Sequence, residues 1–284
     1  METGATKANA EFRDRTYTLE QSKDSHLAVL VDRDAISYSV TEISTGTVRA
    51  LSRFSGKGNP LESQWKESLE FVEDFQQEYQ SANIAVNSVP FAMVPESLNS
   101  NEHDAKLFEL NNGYQGANLL SQLVPDSKIR VVCDLPAGFN EEFHRKQPYA
   151  TMSSTAALMM QSILKRHRFS KGYTIYVVAG DSYFDCYMLK DNALVLYNWF
   201  ATQSVNDVLY HVLNIASQFD FDPSLVPVNV TGMLDVQDKL YALLKEYLPK
   251  VNMIYSLDHV KLSLGITGVS KQHFSSLFNQ FACA

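Results

Sequence analysis

The residues of this 284-residue chain best equipped for chemistry are acids, hydroxyls and glycines placed at turns. Asp32 and Asp34 flank an arginine in Val31-Asp32-Arg33-Asp34-Ala35-Ile36-Ser37. A second turn reads Val178-Ala179-Gly180-Asp181-Ser182-Tyr183, and a lone glycine stands in Val230-Thr231-Gly232-Met233. Carboxylates and hydroxyls beside open backbone can contact phosphate oxygens or a hydrated metal. Each turn also has a plainer reading. Asp is a good turn residue, Gly-Asp-Ser is ordinary hairpin chemistry, and Gly232 can simply end a strand and start a helix.

Other constellations are missing. Ser55-Gly56-Lys57-Gly58 has a Gly-Lys pair but lacks the upstream glycine and the following hydroxyl of a phosphate-binding loop. No GxGxxG or GxSxG occurs. The seven histidines never form an HxH or HxxxH pair, and His103 between Glu102 and Asp104 reads as part of a solvated acidic loop. Lys165-Arg166-His167-Arg168 with Lys171 is the one basic cluster. It ends a predicted helix, where cations suit the dipole; contact with a phosphate or an acidic partner is the other reading. Cys133, Cys186 and Cys283 are odd in number and far apart, so neither a disulfide framework nor a CxxC metal site is written here. That usage fits a reducing cytoplasm.

Composition narrows the function classes. With 45% apolar and 20% charged residues the chain is globular in type. Its 24 basic against 32 acidic residues give a net charge of −8, which argues against a nucleic-acid binder or an anionic-membrane binder. Residues 1–25 are polar with mixed charge, unlike a secretory signal, and read as a loose arm. No apolar run approaches the ~20 residues of a membrane span, so a soluble protein without membrane insertion is expected. The 14 tyrosines and 16 phenylalanines exceed what a modest core needs, and some are expected to pave a protein interface.

The elements that must position the turns follow from periodicity. Residues 26–31 form an apolar run, residues 35–43 alternate Ile36, Tyr38 and Val40 with Ser37, Ser39 and Thr41, and residues 47–54 complete a three-strand meander. Asn59, Pro60 and Glu62 start a helix whose stripe is Trp65, Leu69, Val72, Phe75 (or Phe71) and Tyr79, and a strand follows at 83–86. Residues 97–170 are less regular, with a strand at 128–133 and a helix at 154–168. The second half repeats the plan. Strands are predicted at 174–178, 183–189 and 193–200, then a helix capped by Ser204 with Asp207 at its third position and a stripe of Val208, Val212 and Ile215 (or Leu209, Ala216). A strand at 228–230, a helix capped by Asp235, a strand at 251–255 and a helix at 270–281 complete it. Phe54 and Phe200 close the two meanders half a chain apart.

This duplicated meander, helix and strand resembles the plan of the actin-like ATPase superfamily, which includes sugar kinases, Hsp70 and actin-like proteins of pilus assembly and type II secretion. More closely, the chain resembles a Bacteroidetes family of unknown function assigned an actin-like ATPase fold. The residues that carry the likeness are Val89-Pro90-Phe91-Ala92-Met93-Val94-Pro95-Glu96 and Leu194-Val195-Leu196-Tyr197-Asn198-Trp199-Phe200 with Asp207 and Tyr210, and it runs from about residue 24 to the C-terminus. The resemblance implies an α/β, ribonuclease H-like fold of two pseudo-equivalent βββαβα lobes. The expected division is an arm at 1–25, a first lobe with an inserted subdomain at 26–170 and a second lobe at 171–284.

It also implies a nucleotide site. In that superfamily the first hairpin of each lobe cradles phosphate through a Gly-hydroxyl turn, a preceding Asp holds magnesium, and a Gly-rich strand end meets the adenosine. The matching positions here are Asp32 and Asp34, then Gly180, Asp181 and Ser182, then Gly232. Each departs from the pattern. No Gly follows Asp32, the Asp at 181 comes after its Gly, and Gly232 stands alone. The expectation is therefore a cytoplasmic protein that has lost efficient catalysis. No cofactor or metal is required, with ATP and magnesium the residual ligand, and the chain acts as a scaffold or adaptor through another protein. Its rivals are an enzyme or sensor that binds a nucleotide or phosphate ligand between the lobes, and a homodimer built on exposed aromatics.

Overall fold

Alternating apolar and hydroxyl side chains between Ile36 and Thr41 call for a strand with two unlike faces, and the computed structural model builds one there. It describes residues 10–33, 35–55, 61–87, 90–98, 100–135, 138–255 and 260–283. The chain divides into two compact units. One comprises Met1–Gln161, Asp258–Val269 and Ser276–Ala284, and the other Ser162–Leu257 and Ser270–Ser275.

In the first unit, β1 (Ala10–Arg13), β2 (Ser25–Val31), β3 (Ile36–Glu42), β4 (Thr47–Phe54) and α1 (Leu61–Phe71) lead to β5 (Ser81–Val86). A three-stranded sheet follows from β6 (Phe91–Pro95), β7 (Leu119–Val124) and β8 (Ile129–Asp134), with α2 (Asn101–Asn112) burying Phe108 against Ala92, Val94 and Val132. α3 (Phe139–Lys146), β9 (Thr151–Ser154) and α4 (Thr155–Arg166) return to the main sheet, whose order is β1-β4-β3-β2-β5-β9. The second unit has β10 (Tyr173–Ala179), β11 (Tyr183–Lys190), β12 (Ala193–Ala201), α5 (Val205–Gln218), β13 (Val228–Gly232), α6 (Lys239–Tyr247) and β14 (Val251–Met253), in sheet order β12-β11-β10-β13-β14. β15 (Lys261–Leu262) pairs parallel to β4, and α7 (Ser275–Cys283) ends the chain.

With β1 and the β6–β8 sheet set aside, the order β4-β3-β2-β5-β9 matches β12-β11-β10-β13-β14, which is the third, second, first, fourth and fifth strand of each repeat. In both, the first strand pairs antiparallel with the second and parallel with the fourth. The pattern repeat of the sequence is thus a repeat of topology.

Leu27, Val29, Val31, Ile36, Tyr38 and Val40 share one face and pack on Trp65 and Leu69 of α1 and on Phe75 just beyond it. The hydroxyl face of β3 is also buried, because the small side chains Ser37, Ser39 and Ala28 let covering elements approach closely. The second unit builds its core likewise, with Val208, Val212 and Ile215 of α5 against Ile175, Val177 and Cys186. Cys133 and Cys186 are buried free thiols, and burial pushes both up to about 12.

Several boundaries depart from expectation. Ala10–Arg13, inside the expected loose arm, forms β1 and pairs with β4. The arm is tied down because Arg13 reaches Asp74, a fully buried carboxylate that also accepts the Tyr38 hydroxyl at 2.6 Å. The last 27 residues split between the units instead of staying with the second lobe, since β15 pairs with β4 of the first. Asp235 does not cap α6. Its N–H donates to Asp238 Oδ2 at 2.6 Å, and Asp238 holds the cap position. The strand expected at 251–255 stops at Met253, and the last helix opens with a 3-10 turn at Lys271–Phe274. Asn59 and Pro60, the expected helix start, lie outside the described residues, as does part of the Val89-to-Glu96 motif.

One buried titratable group sets a pH dependence. His26 is 1% exposed on β2, with Nδ1 2.8 Å from Ser81 Oγ and its ring 5.7 Å from that of Phe281. Burial lowers its pKa from 6.5 to about 4. The folded state therefore prefers neutral imidazole. That preference is complete above the unfolded pKa and is lost as pH falls toward the folded value. At 1.36 kcal/mol per unit, stability should fall by about 2–3 kcal/mol between pH 7 and pH 4.5, before most carboxylates titrate. Urea midpoints across that range check it: His26→Asn should flatten most of the slope, and an equally steep variant would refute the assignment.

Candidate functional site

The pairing of β10 with β13 places Ala179 beside Gly232, so both C-terminal strand ends open on the same side of the second sheet. Ligands of open α/β sheets bind at such ends. Gly232 adopts φ +96°, and a Cβ there would stand 2.1 Å from Ala179 O and 2.7 Å from Ala179 N. Only glycine lets the two backbones meet so closely. The next residue uses that approach, since the Met233 N–H donates to Ala179 O at 2.7 Å.

Gly180 needs its missing side chain for another reason. A Cβ there would lie 2.2–2.6 Å from ring atoms of Tyr183, whose ring covers the glycine. The Gly180 N–H donates to Tyr183 O at 2.8 Å and the Thr202 N–H to Ser182 O at 2.8 Å. Asp181 and Ser182 stand exposed at the tip of this closed turn.

Beside these ends lies a cavity of about 400 Å³. Val208, Met233, Leu234 and Leu240 supply apolar wall, and Asp181, Gln203, Ser204 and Lys239 supply polar groups. Two helices start at its rim, α5 after Ser204 and α6 after Asp238. Such N-termini favour anions, and each has a carboxylate of the chain nearby, Asp207 in the first turn of α5 and Asp238 at the cap position of α6. Asp207 Oδ2 accepts the N–H groups of Gln203 at 2.7 Å and Ser204 at 2.8 Å, which holds the Asp207 carboxyl below the usual range. Asp238 Oδ2 accepts the Asp235 N–H. The capping pair of Ser204 and Asp207 is as the sequence predicts.

The corresponding turn of the first unit closes on itself in a different way. The Asp32 N–H donates to Ala35 O at 2.8 Å, while Asp32 Oδ1 accepts the Arg33 N–H at 2.8 Å and the Asn87 side-chain amide at 3.1 Å. The Asn87 N–H in turn donates to Val31 O at 2.9 Å. Asp32 and Asn87 are both buried, so the carboxylate that a magnesium site would need fastens the turn to the end of β5. Asp34 lies outside the described residues. The Asp32 carboxylate is engaged by Asn87, and a tyrosine ring covers the Gly180 backbone. Among the described residues no group of three or more His, Cys, Asp and Glu side chains could hold a metal ion.

The structure therefore gathers Gly180, Asp181 and Gly232 at one end of the second sheet, and sets Asp32 in a turn of the other unit. It adds two residues that sequence reading missed. Asn87 carried no signal beyond its place after a strand. Gln272 is buried, and its side-chain amide donates to Leu234 O at 3.2 Å and to Asp235, so the 3-10 turn at Lys271–Phe274 secures the chain beyond β13.

Known structures share this architecture. A Bacteroides thetaiotaomicron VPI-5482 protein with actin-like ATPase fold and unknown function aligns with a TM-score of 0.74 at 18% identity, covering 84% of this chain and 94% of that one. A PilM-PilN type IV pilus biogenesis complex aligns with a TM-score of 0.57 at 12% identity, covering 90% of this chain and 96% of the other. The fold is the actin-like ATPase fold. Comparison with the curated proteins finds no match. The family described as "Protein of unknown function (DUF3822)" matches residues 14–251.

Proposed function

Since the chain belongs to this DUF3822 family of unknown function, we propose that it is a cytoplasmic, non-catalytic actin-like protein that works as a scaffold or adaptor through contacts with another protein. The observation that carries this reading is that both superfamily phosphate turns are closed by their own residues, Asp32 by Asn87 and Gly180 by Tyr183. The PilM structure is that of a complex with PilN, and by analogy of fold protein contact is a mode open to this architecture. No helix among the described residues is long and apolar enough to cross a membrane.

Thermal unfolding with ATP, ADP or AMPPNP, each with magnesium, tests the reading. The expected result is no shift at millimolar nucleotide and no phosphate release. A saturable shift would count against it, since ligand at 100 times its Kd adds about 2.7 kcal/mol of stability.

A second reading rests on the cavity beside Gly180 and Gly232. Its apolar wall with Gln203, Ser204 and Lys239 suits a phosphate-bearing ligand or nucleotide held as a signal without turnover. If nucleotide does stabilise the protein, Leu240→Trp should remove the shift by filling the cavity. A shift that survives this substitution places the ligand elsewhere.

A further inference from the structure

The basic cluster of the sequence lies in the second unit, where α4 ends and the chain turns into β10. From Lys165 to Lys171 four of seven residues are formal cations and none is an acid. No Asp or Glu occurs between Glu142 and Asp181, so no neighbour along the chain neutralises the cluster. Lys165, Arg166, Arg168 and Lys171 are all exposed, and Phe169 in their midst is 93% exposed. The helix dipole accounts for Lys165 and Arg166, which stand in the last turn of α4. It accounts for neither Arg168 and Lys171, which lie beyond the helix, nor the aromatic between them.

The fold holds this ring outward. The His167 N–H donates to Ile163 O at 3.0 Å and the Ser170 N–H to His167 O at 2.8 Å, which closes the turn. His167 is drawn inward, with Nδ1 3.0 Å from Ser170 Oγ and Nε2 bonded to the hydroxyl of Tyr176, a residue 1% exposed. On the far side the Gly172 N–H donates to Asp191 Oδ1 at 2.8 Å, and the Asp191 N–H returns to Gly172 O at 3.2 Å. The turn is thus pinned before and after Phe169, and the acid that meets it is engaged. A large apolar side chain is presented among cations by a closed turn.

We propose that the loop 165–171 docks the protein on an anionic lipid surface, with Phe169 at the headgroup boundary and Lys165, Arg168 and Lys171 against lipid phosphates. Charge complementarity calls for an anionic occupant, and clusters of about four to eight Lys and Arg bind anionic headgroups. The form of the loop selects lipid among anionic partners. A lone ring among cations can sink into a headgroup boundary without any pocket. A protein interface is built around an apolar core, from which Lys is depleted. A single nucleic-acid strand is held on successive stacking rings, and Phe169 is the single outward ring of this loop. The net charge of −8 belongs to the whole chain. Charges more than about 8–10 Å apart are screened at physiological salt, so a surface touching the loop meets the local cluster and not the total. The proposal is independent of the adaptor reading and of any nucleotide.

Cosedimentation of the full chain with vesicles is the test. The wild type should bind vesicles of phosphatidylglycerol with phosphatidylcholine but not phosphatidylcholine alone, and binding should weaken as salt rises. Arg168→Gln with Lys171→Gln should weaken it at least about tenfold, since each cation near an anionic surface contributes about fivefold. Phe169→Ser should weaken it about fivefold at unchanged charge. Lys66→Gln with Lys245→Gln, a charge-matched pair at exposed positions outside the loop, should leave it intact. Should a loop variant unfold, hydrogen exchange of the wild type still decides, because amides of 166–172 should slow on anionic vesicles. Absent binding, equal binding to neutral vesicles, binding indifferent to the loop substitutions, or unchanged exchange at 166–172 overturns the proposal. Tighter binding of the loop to polyglutamate or to polyuridylate than to the vesicles also overturns it.

Discussion

Gly232→Ala should remove about 3 kcal/mol or more from the stability of the second unit. Two terms add. A non-glycine residue at φ +96° is strained by about 1–3 kcal/mol, and the new Cβ meets the backbone of Ala179 at 2.1 Å. A main chain paired into β10 cannot swing aside as a side chain can, and forced overpacking adds a further ~1–3 kcal/mol. Gly180→Ala is the informative comparison. The nearest atoms to its Cβ all belong to the ring of Tyr183, a buried side chain and not paired backbone, so the loss should be smaller, near ~1–2 kcal/mol. Urea unfolding of the two variants measures the difference. Equal losses would mean that the close passage of β13 past β10 is not what demands glycine at 232. Because the glycine is needed for packing, its presence in a nucleotide-fold position is no evidence of nucleotide.

The second large effect is expected at Asp74. Its carboxylate is fully buried, paired with Arg13 of β1 and hydrogen-bonded by Tyr38 of β3. Burial, then the charge of Asp74, raises the Tyr38 phenol far above its ordinary value, so it stays a donor at any working pH. Truncation by Asp74→Ala strands the Tyr38 hydroxyl and removes the partner of Arg13; breaking such a pair costs about 3–5 kcal/mol. Arg13→Ala leaves a buried carboxylate short of its cation and should cost a comparable amount, although Arg13 is partly exposed. A double-mutant cycle should show a coupling of at least about 1 kcal/mol. A loose N-terminal arm would give no coupling, so the cycle decides whether β1 belongs to the folded unit in solution.

That contrast shows where sequence reading succeeds. Ile36, Tyr38 and Val40 announce a strand because side chains alternate at period two, and Val208, Val212 and Ile215 announce a helix face at 3.6. Ser204 and Asp207 announce a cap because both ends of that bond lie within one turn. Each of these signals is local, and each appears in the structure. The duplicated plan was legible for the same reason, being a sequence of local signals repeated. The polarity of Ser37 and Ser39, by contrast, reads as solvent exposure until a covering layer is known, and both are buried.

The candidate site was legible only as a set of residue types. Asp32 and Asn87 stand 55 positions apart, and nothing near either shows that the first is fastened by the second. Arg13 and Asp74 are 61 apart, and β1 looked like a polar arm until its partner β4 was placed. By itself the chain determined which segments become strands and helices, and that they come twice in one order, because those choices depend on neighbours within a few residues. Only the tertiary structure decided that Gly232 must pass against Ala179, that Tyr183 covers Gly180, and that among the described residues β12 ends its sheet while β1 and β15 pair with β4. Those outcomes depend on sheet register and strand order, which bring together backbone from distant parts of the chain.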